Sequence, residues 1–420
     1  MKKLLFVLVM ASLLLAACGS KPAETGPVEI TFTMWGAPEE LAVWQAVVDD
    51  FHKVNPNITV KVDVSDWDSY WTKLNTLTAG GTPPDVFAMD APLFLDWQSR
   101  GALLNLQPYI DANTGFLDGF YPQTLTAYKT ADGYYGLPRD FQTIVLFYNK
   151  DMFDAAGVDY PTADWTYDDL LVAAKALTLD TDNDGKVDQY GFWSDTWDME
   201  LLWIEAIWAY GGEIISDDHT KTLIGEGGAR DAWAFIDSLY KEGVTPTPTS
   251  SGEYGDDLFQ PKVAAMTTIG HWAVPGYVQA GINFDVAPMP SGPAGRATSV
   301  NSAGFVIAKD SKHPEAAFEF IKFAFSEAGQ KRLAELGFAI PVLKSVAESD
   351  AYLKQPGDLN QQVFLDSVDF AQTKPVFKGY EEWAGVVGDG LTPVFDGEAE
   401  LNPTLDEVIA AADEVLAANK

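Results

Sequence analysis

From residue 28 onward the chain alternates β-rich runs with segments of helical spacing. Val28 to Trp35 (VEITFTMW) is rich in branched and aromatic residues and ends in a Gly-Ala-Pro turn, which predicts a strand. Leu41, Trp44, Val47, Val48 and Phe51 then recur at three- and four-residue intervals, which predicts a helix over 38–54, stopped by Asn55-Pro56-Asn57. Ile58 to Val64 alternates apolar and polar positions as a strand does, and Trp67 to Ala79 reads as a helix broken by Gly80-Gly81-Thr82-Pro83-Pro84. Asp85 to Met89 is a further strand, followed by a helix from Leu93 to Arg100. This alternation predicts an α/β fold with parallel sheets and crossover helices. Open sheets of that kind bind ligands at the carboxyl ends of their strands. Trp35, Asp66-Trp67 and Asp90 fall at such ends. No internal repeat is apparent.

The first residues follow a different pattern. Lys2 and Lys3 precede an apolar run from Leu4 to Ala16. A run of about 13 residues is short of the ~20 a spanning helix needs, and it suits the core of a secretory signal. Leu15-Ala16-Ala17-Cys18 resembles the bacterial lipobox, so residues 1–17 are expected to be removed and Cys18 acylated. The alternative is an ordinary signal with a chance cysteine. Several acyl chains on one residue hold a protein on a membrane far better than one does. Cys18 is the only cysteine, so no disulfide forms within the chain. Residues 18–27 are polar and rich in Gly and Pro, as a lipidated tether would be. The expected location is therefore extracytoplasmic, anchored to the cell membrane.

Composition narrows the partners. A chain of 420 residues exceeds one ordinary core and predicts two lobes. The formal charge is −34, and removing residues 1–17 leaves 25 basic residues against 61 acidic, or −36. Such a surface excludes nucleic acid, which needs clustered Lys and Arg, and disfavours adhesion to anionic lipid. Thirteen Trp, sixteen Tyr and twenty-four Phe are a heavy aromatic load, most of it core. An acidic, aromatic-rich, exported chain suits a neutral polar ligand with apolar faces, of which sugars are the commonest.

An ordered series of segments carries a resemblance. TFTMWG, NPNITVKV, GTPPDVFAMD and YGLPRDFQTIVLFYNKDMFDAAG are followed by YGFW, GHWAVPGY, APMPSGPAG, NSAGFVIAKDSKHPEAAFEFIKF and GFAIPVLKS. Together they resemble the extracellular solute-binding protein family 1, the lipoproteins of sugar ABC transporters that include maltodextrin-binding proteins. The resemblance implies a two-lobed periplasmic-binding-protein-like fold of type II, with mixed sheets, a hinge of crossing strands and ligand between the lobes. It implies crossings through Gln142 to Val145, near Ala297 to Val300 and near Ala339 to Leu343. Lobe one would then be 28–140 and 300–340, and lobe two 141–297 and 343–420. The partners implied are a carbohydrate ligand and the transporter's permease subunits, the protein acting as a monomer without a required cofactor.

Sugar recognition needs aromatic faces for C–H patches and fixed polar groups for hydroxyls. Trp272, in Gly270-His271-Trp272, resembles the family tryptophan that stacks from lobe two, and Gly270 and Pro275 mark its segment as a loop. Trp383 lies near the family's C-terminal stacking aromatic, the alternative being a half-buried helix face. Trp35 and Trp67 are stacking candidates from lobe one. Asp90 is a cleft-acid candidate, the alternative being a helix cap. Asp140 and Gln142 flank the first crossing, with Arg139 as ion partner or ligand donor; Gln142 stands where maltodextrin binders carry an acid. Trp197 and Glu200 lie in WSDTWDME, and Asn301 and Ser302 lie beside the second crossing. Phe338 precedes the third.

Asp180, Asp182, Asp184 and Asp188, with Gly185, match the front of an EF-hand calcium loop, but Gly191 stands where that loop needs a bidentate glutamate. Structural calcium and an empty acidic turn both remain open there. Catalysis has little support: His52, His219, His271 and His313 are scattered, with no metal pair or activated nucleophile. The chain reads as a binding protein, not an enzyme. The alternatives are an exported, lipid-anchored glycoside hydrolase using a carboxylate pair, and a peptide- or polyamine-binding lipoprotein of the same fold with Asp90, Asp140 and Glu200 caging amines.

Overall fold

The computed structural model describes residues 26–36, 38–195, 199–255, 257–355 and 359–419. The candidate signal segment, Cys18, most of the tether and Trp197 lie outside the described residues. Five strands form the larger sheet in the order Ile58–Ser65, Val28–Trp35, Val86–Asp90, Ala303–Ile307 and Gly136–Pro138. The first three are parallel and the last two join antiparallel, giving the mixed sheet of an α/β lobe. The helix Pro38–Val54 buries Trp44, Val47, Val48 and Phe51 against this sheet, as its spacing predicts, while Leu41, expected in the same stripe, stays exposed in the first turns. Phe32 is the centre of that core, with ring centroids 4.7 Å from Phe305, 5.3 Å from Phe320 and 5.4 Å from Trp44.

A second, antiparallel sheet takes the order Phe284–Ala287, Val145–Asn149, Met266–Ile269. Helices Trp203–Ala209, Ala229–Lys241, Tyr380–Phe395 and Leu401–Ala418 build a separate apolar core on it, in which Trp203 lies 5.1 Å from Trp233 and 5.7 Å from Phe395. Three short strands join the two bodies: Gln142–Thr143, Thr298–Asn301 and Ala371–Thr373, with Thr298–Asn301 in the middle.

The first two crossings fall where expected. The third connecting strand is Ala371–Thr373, whereas the segment 339–343 contributes only isolated pairings, Ile340 with Phe141 and Leu343 with Phe120. The chain then stays with the first core, because Val346, Ala347 and Tyr352 bury themselves there, and Lys344–Ala347 and Asp350–Leu353 pack on the helix Glu327–Glu335. Pro341, which has no N–H to give a ladder, breaks the strand that GFAIPVL suggests.

Candidate ligand cleft

The carboxyl ends of the first lobe's strands open onto the connecting strands. Trp35 ends its strand level with Ser65. Directly after Ser65, Asp66 caps the helix Trp67–Ala79 by accepting the Ser69 N–H at 3.0 Å, which holds its carboxyl below the ordinary value. Trp67 and Trp71, four apart on that helix, both meet Trp35: Trp67 edge-on at 5.0 Å, Trp71 stacked at 5.8 Å and 28°. Arg139 also lies over the Trp35 ring at 5.5 Å. Trp35 is thus half-buried with its ring face engaged by the protein, and Trp67 and Trp71 are half-buried beside it. Trp97 extends the cluster, 6.2 Å from Trp71.

The acids of this region are mostly partnered. Asp140 is buried, and its Oδ2 accepts from Arg139 Nε at 2.8 Å. Burial pushes the Asp140 carboxyl above its ordinary value, with the Arg139 guanidinium pulling the other way. Arg139 is itself held between Trp35 and Phe338, 5.1 Å from the latter ring. Phe338 is buried and packs on Trp44 as part of the core. Asp90 ends its strand opposite Ala303, half-buried, and does not cap the next helix, whose cap residue Leu93 makes no side-chain bond. Its charge faces the buried Tyr128 hydroxyl, whose single proton is shared between Met89 O, at 2.8 Å, and Ser302 O.

At the connecting strands the pairing brings distant residues side by side. Asn301 lies opposite Gln142, and its Nδ2 donates to Glu200 Oε1 at 3.4 Å. Glu200 is buried and pairs with the equally buried Lys374, 3.2 Å away and just past the third connecting strand. Beneath it Glu205 is fully buried, one oxygen accepting the Ser299 N–H at 3.1 Å. Burial raises Glu205 to about 8, Ser299 lowering it and Glu200 adding to the rise. A small cavity lined by Ala91, Thr124, Asn301, Ser302 and Lys374 among others lies between the first lobe and these strands.

Trp272 comes from the second lobe. The strand Met266–Ile269 pairs antiparallel with Val145–Asn149, Val145 opposite Ile269, so its carboxyl end points back to the connecting strands. The segment Gly270-His271-Trp272 follows at once, not as the expected open loop but as a 3-10 turn, His271–Ala273, that runs into the helix Val274–Gln279 with Pro275 in its first turn. Trp272 is 41% exposed while its neighbour His271 is buried. A Cβ on Gly270 would sit 1.9 Å from the Trp272 ring, so only glycine allows the indole to lie back on its own main chain.

Two lobes, three connecting strands and aromatic rings at strand ends on both sides define the cleft, and the sequence agrees with the shape. Residues 36–331, well over half of the chain, match the family of bacterial extracellular solute-binding proteins. The protein belongs to this family. Among its relatives, a Brucella abortus binding protein is 28% identical, with 97% of each chain covered. The galactooligosaccharide-binding protein of Bacillus subtilis is 26% identical over 96% of this chain and 94% of its own. The solved ABC substrate-binding protein of Listeria monocytogenes, in complex with cycloalternan, superposes with a TM-score of 0.84 at 28% identity, covering 93% of this chain and 99% of that one.

Within this solute-binding protein, Trp383 is not a cleft residue. It lies in the helix Tyr380–Phe395 at 0% exposure, donates its Nε1–H to Thr222 Oγ1 at 2.9 Å, and packs on Phe377 at 5.6 Å. The reason is its stripe: Trp383, Val387, Leu391 and Val394 share one buried helix face. Gln142 is also turned inward, its Oε1 accepting the His271 N–H at 3.1 Å. Reasoning from sequence missed Lys374, Trp71 and Trp97. Trp71 carried a signal, its spacing of four from Trp67; Lys374 carried none.

The acidic loop of this solute-binding protein is closed by its own main chain. Oxygen atoms of Asp180, Asp182 and Asp188 come within 4.8 Å of one another, all exposed. Yet Asp180 accepts the Asp184 and Gly185 N–H groups at 3.1 and 2.8 Å, and Asp188 accepts that of Thr181 at 3.1 Å. Asp184 takes the Lys186 N–H and is not part of the converging set. At Gly191 a Cβ would lie 1.9 Å from Ala174 O, so the bidentate glutamate of an EF-hand has no room there.

Proposed function

We propose that the protein is the extracytoplasmic receptor of an ABC-type carbohydrate importer, binding a neutral mono- or oligosaccharide between its lobes. The observation that carries this is the exposed Trp272 at the hinge end of the second lobe, beside connecting strands whose charges are already paired. A flat apolar face suits the C–H side of a sugar ring, and Arg139–Asp140 and Glu200–Lys374 balance each other without a charged ligand. The galactooligosaccharide and cycloalternan named for two relatives lend support to the same ligand class. Contacts to both lobes would favour the closed state and shift the hinge by population. The closed monomer would then dock on membrane permease subunits. No cofactor is required; calcium in the 180–188 loop is a finer reading that rests on three converging carboxylates.

Cys18, which follows the lipobox-like Leu15-Ala16-Ala17, would anchor the chain through its acyl groups; among the described residues no helix is long and apolar enough to cross a membrane. Mass spectrometry of the membrane fraction is expected to find a chain starting at acylated Cys18. A mature chain cut elsewhere, with Cys18 unmodified, would remove the anchor from this account. The polyamine reading is weaker because two of its three acids, Asp140 and Glu200, already hold a cation.

Fluorescence titration with cycloalternan, a galactooligosaccharide, maltotriose and their component monosaccharides tests the proposal. Saturable binding of at least one, without new reducing ends on long incubation, is expected. Release of reducing ends would favour the hydrolase, and tight binding of spermidine with no sugar bound would favour the amine receptor.

A further inference from the structure

The turn that carries Trp272 is fastened from outside the second lobe's own sheet. Its middle residue, His271, is 1% exposed and makes two hydrogen bonds to segments distant in sequence. The His271 main-chain N–H donates to Gln142 Oε1 at 3.1 Å. The His271 ring Nε2 lies 2.9 Å from Gln361 Oε1. An amide oxygen only accepts, so this contact makes Nε2 the protonated ring nitrogen. The imidazole is walled by Tyr352 at 5.4 Å and Phe364 at 5.0 Å. Burial pushes its pKa down to about 4, so it stays neutral at physiological pH.

These contacts close a circuit. Gln142 and Thr143 form the first connecting strand, with Gln142 opposite Asn301 and Thr143 opposite Val300. Thr143 donates its hydroxyl to Phe364 O at 2.9 Å, and Phe364 lies in the helix Gln362–Asp366 that directly follows Gln361. The connecting strand, the 361–366 segment and the Gly270-His271-Trp272 turn are therefore tied pairwise to one another. Gly270 adds the last constraint by letting the indole lie on the main chain that Gln142 holds. A rotation of the connecting strand must carry this main chain with it.

We propose that Gln142 is a positioning residue, with Gln361 as its support, that locks the Trp272 ring to the first connecting strand so that hinge and stacking surface move as one unit. The inference rests on the reading that Trp272 meets the ligand. It gives Gln142 a role through Trp272 in place of direct ligand contact. A merely structural glutamine would lower stability without coupling to Trp272 in binding.

The test is a double-mutant cycle on sugar affinity in the full mature chain, using whichever of cycloalternan, galactooligosaccharide or maltotriose binds the wild type most tightly. Trp272→Ala is expected to weaken binding at least tenfold, and Gln142→Ala three- to tenfold. Gln142→Ala/Trp272→Ala is expected to stay within twofold of Trp272→Ala alone. Losses that multiply, or Gln142→Ala binding within twofold of wild type, overturn the positioning role. Trp272→Ala that binds normally overturns the stacking reading instead. Wild type that binds none of the three removes the reading and the inference with it. Where Gln142→Ala fails to fold, Gln361→Ala runs the same cycle with the same expected pattern.

Discussion

Two tryptophans that look alike in the sequence sit in opposite settings. Trp272 follows a glycine at the end of a strand and keeps 41% of its surface exposed, while Trp383 sits in a helix at 0%. The difference lies in what surrounds them along the chain. Val387, Leu391 and Val394 repeat the helical period from Trp383, so its ring joins a stripe that packs against Leu401–Ala418 and the rest of the second core. Trp272 has no such stripe; Gly270 and Pro275 bracket it, and polar groups at distant positions hold its turn. An aromatic that polar contacts hold in place at a strand end is free for a ligand, whereas one that apolar neighbours hold belongs to the core.

The largest test of this contrast is Trp383→Ala. Truncating a fully buried aromatic costs ~3–5 kcal/mol, and here the Thr222 hydroxyl also loses its donor partner. Chemical or thermal unfolding is expected to show a loss of that size, with sugar affinity per folded molecule unchanged. A stable variant that loses sugar would put Trp383 back in the cleft. Next comes Trp272→Ala, where the order reverses. Binding is expected to weaken at least tenfold, ~2 kcal/mol or more as for buried aromatic anchors. The thermal midpoint should move much less than in Trp383→Ala, and an unfolded variant would make Trp272 a core residue.

How legible the molecule was follows the same line. The strand Val28–Trp35 and the helices Pro38–Val54 and Trp67–Ala79 were readable to the residue, because period and turn residues are local. The first two connecting strands were readable through resemblance. Less visible was anything made by long-range pairing. Gln142 meets His271 across 129 positions, and neither residue announces the other. The Glu200–Lys374 pair is equally silent, since a lone lysine before a proline has no periodic context. The third connecting strand hid for a related reason: Ala371–Thr373 is three residues long, and its pairing with Thr298–Val300 is what defines it.

Glu205 lies between the two regions and offers a smaller effect per step. Its helix belongs to the second core, yet its carboxyl reaches the Ser299 N–H of the middle connecting strand. Its folded value of about 8 stands above the ordinary 4.5, so between those limits the folded state binds more protons than the unfolded. Its contribution to stability is therefore complete below about pH 4.5 and is lost as pH rises through about 8, by at most ~1.4 kcal/mol per pH unit. Buried His271 works the other way, losing stability as pH falls from 6.5 through about 4, so the comparison must be with Glu205→Gln. Between pH 6 and 8 the wild-type midpoint is expected to fall more steeply than that of Glu205→Gln. Parallel slopes would mean that Glu205 is charged throughout.

The smallest expected effect belongs to the 180–188 loop, far from either tryptophan in character: exposed, polar and closed by its own carboxylates. A calcium ion there would have to compete with the N–H groups that Asp180 and Asp188 already accept, and it would find no bidentate glutamate because Gly191 is pressed against Ala174. Weak binding is the expectation. A ligand of the native state stabilises by mass action, so calcium at a few times its dissociation constant should add on the order of 1 kcal/mol, a rise of a few degrees at most in a chain this long. Asp182→Ala should abolish that rise, and neither calcium nor the substitution should alter sugar affinity. Metal analysis of the purified protein fixes the starting point. If metal-free protein keeps the same midpoint in calcium and in chelator, the loop is a turn that its own acids hold shut.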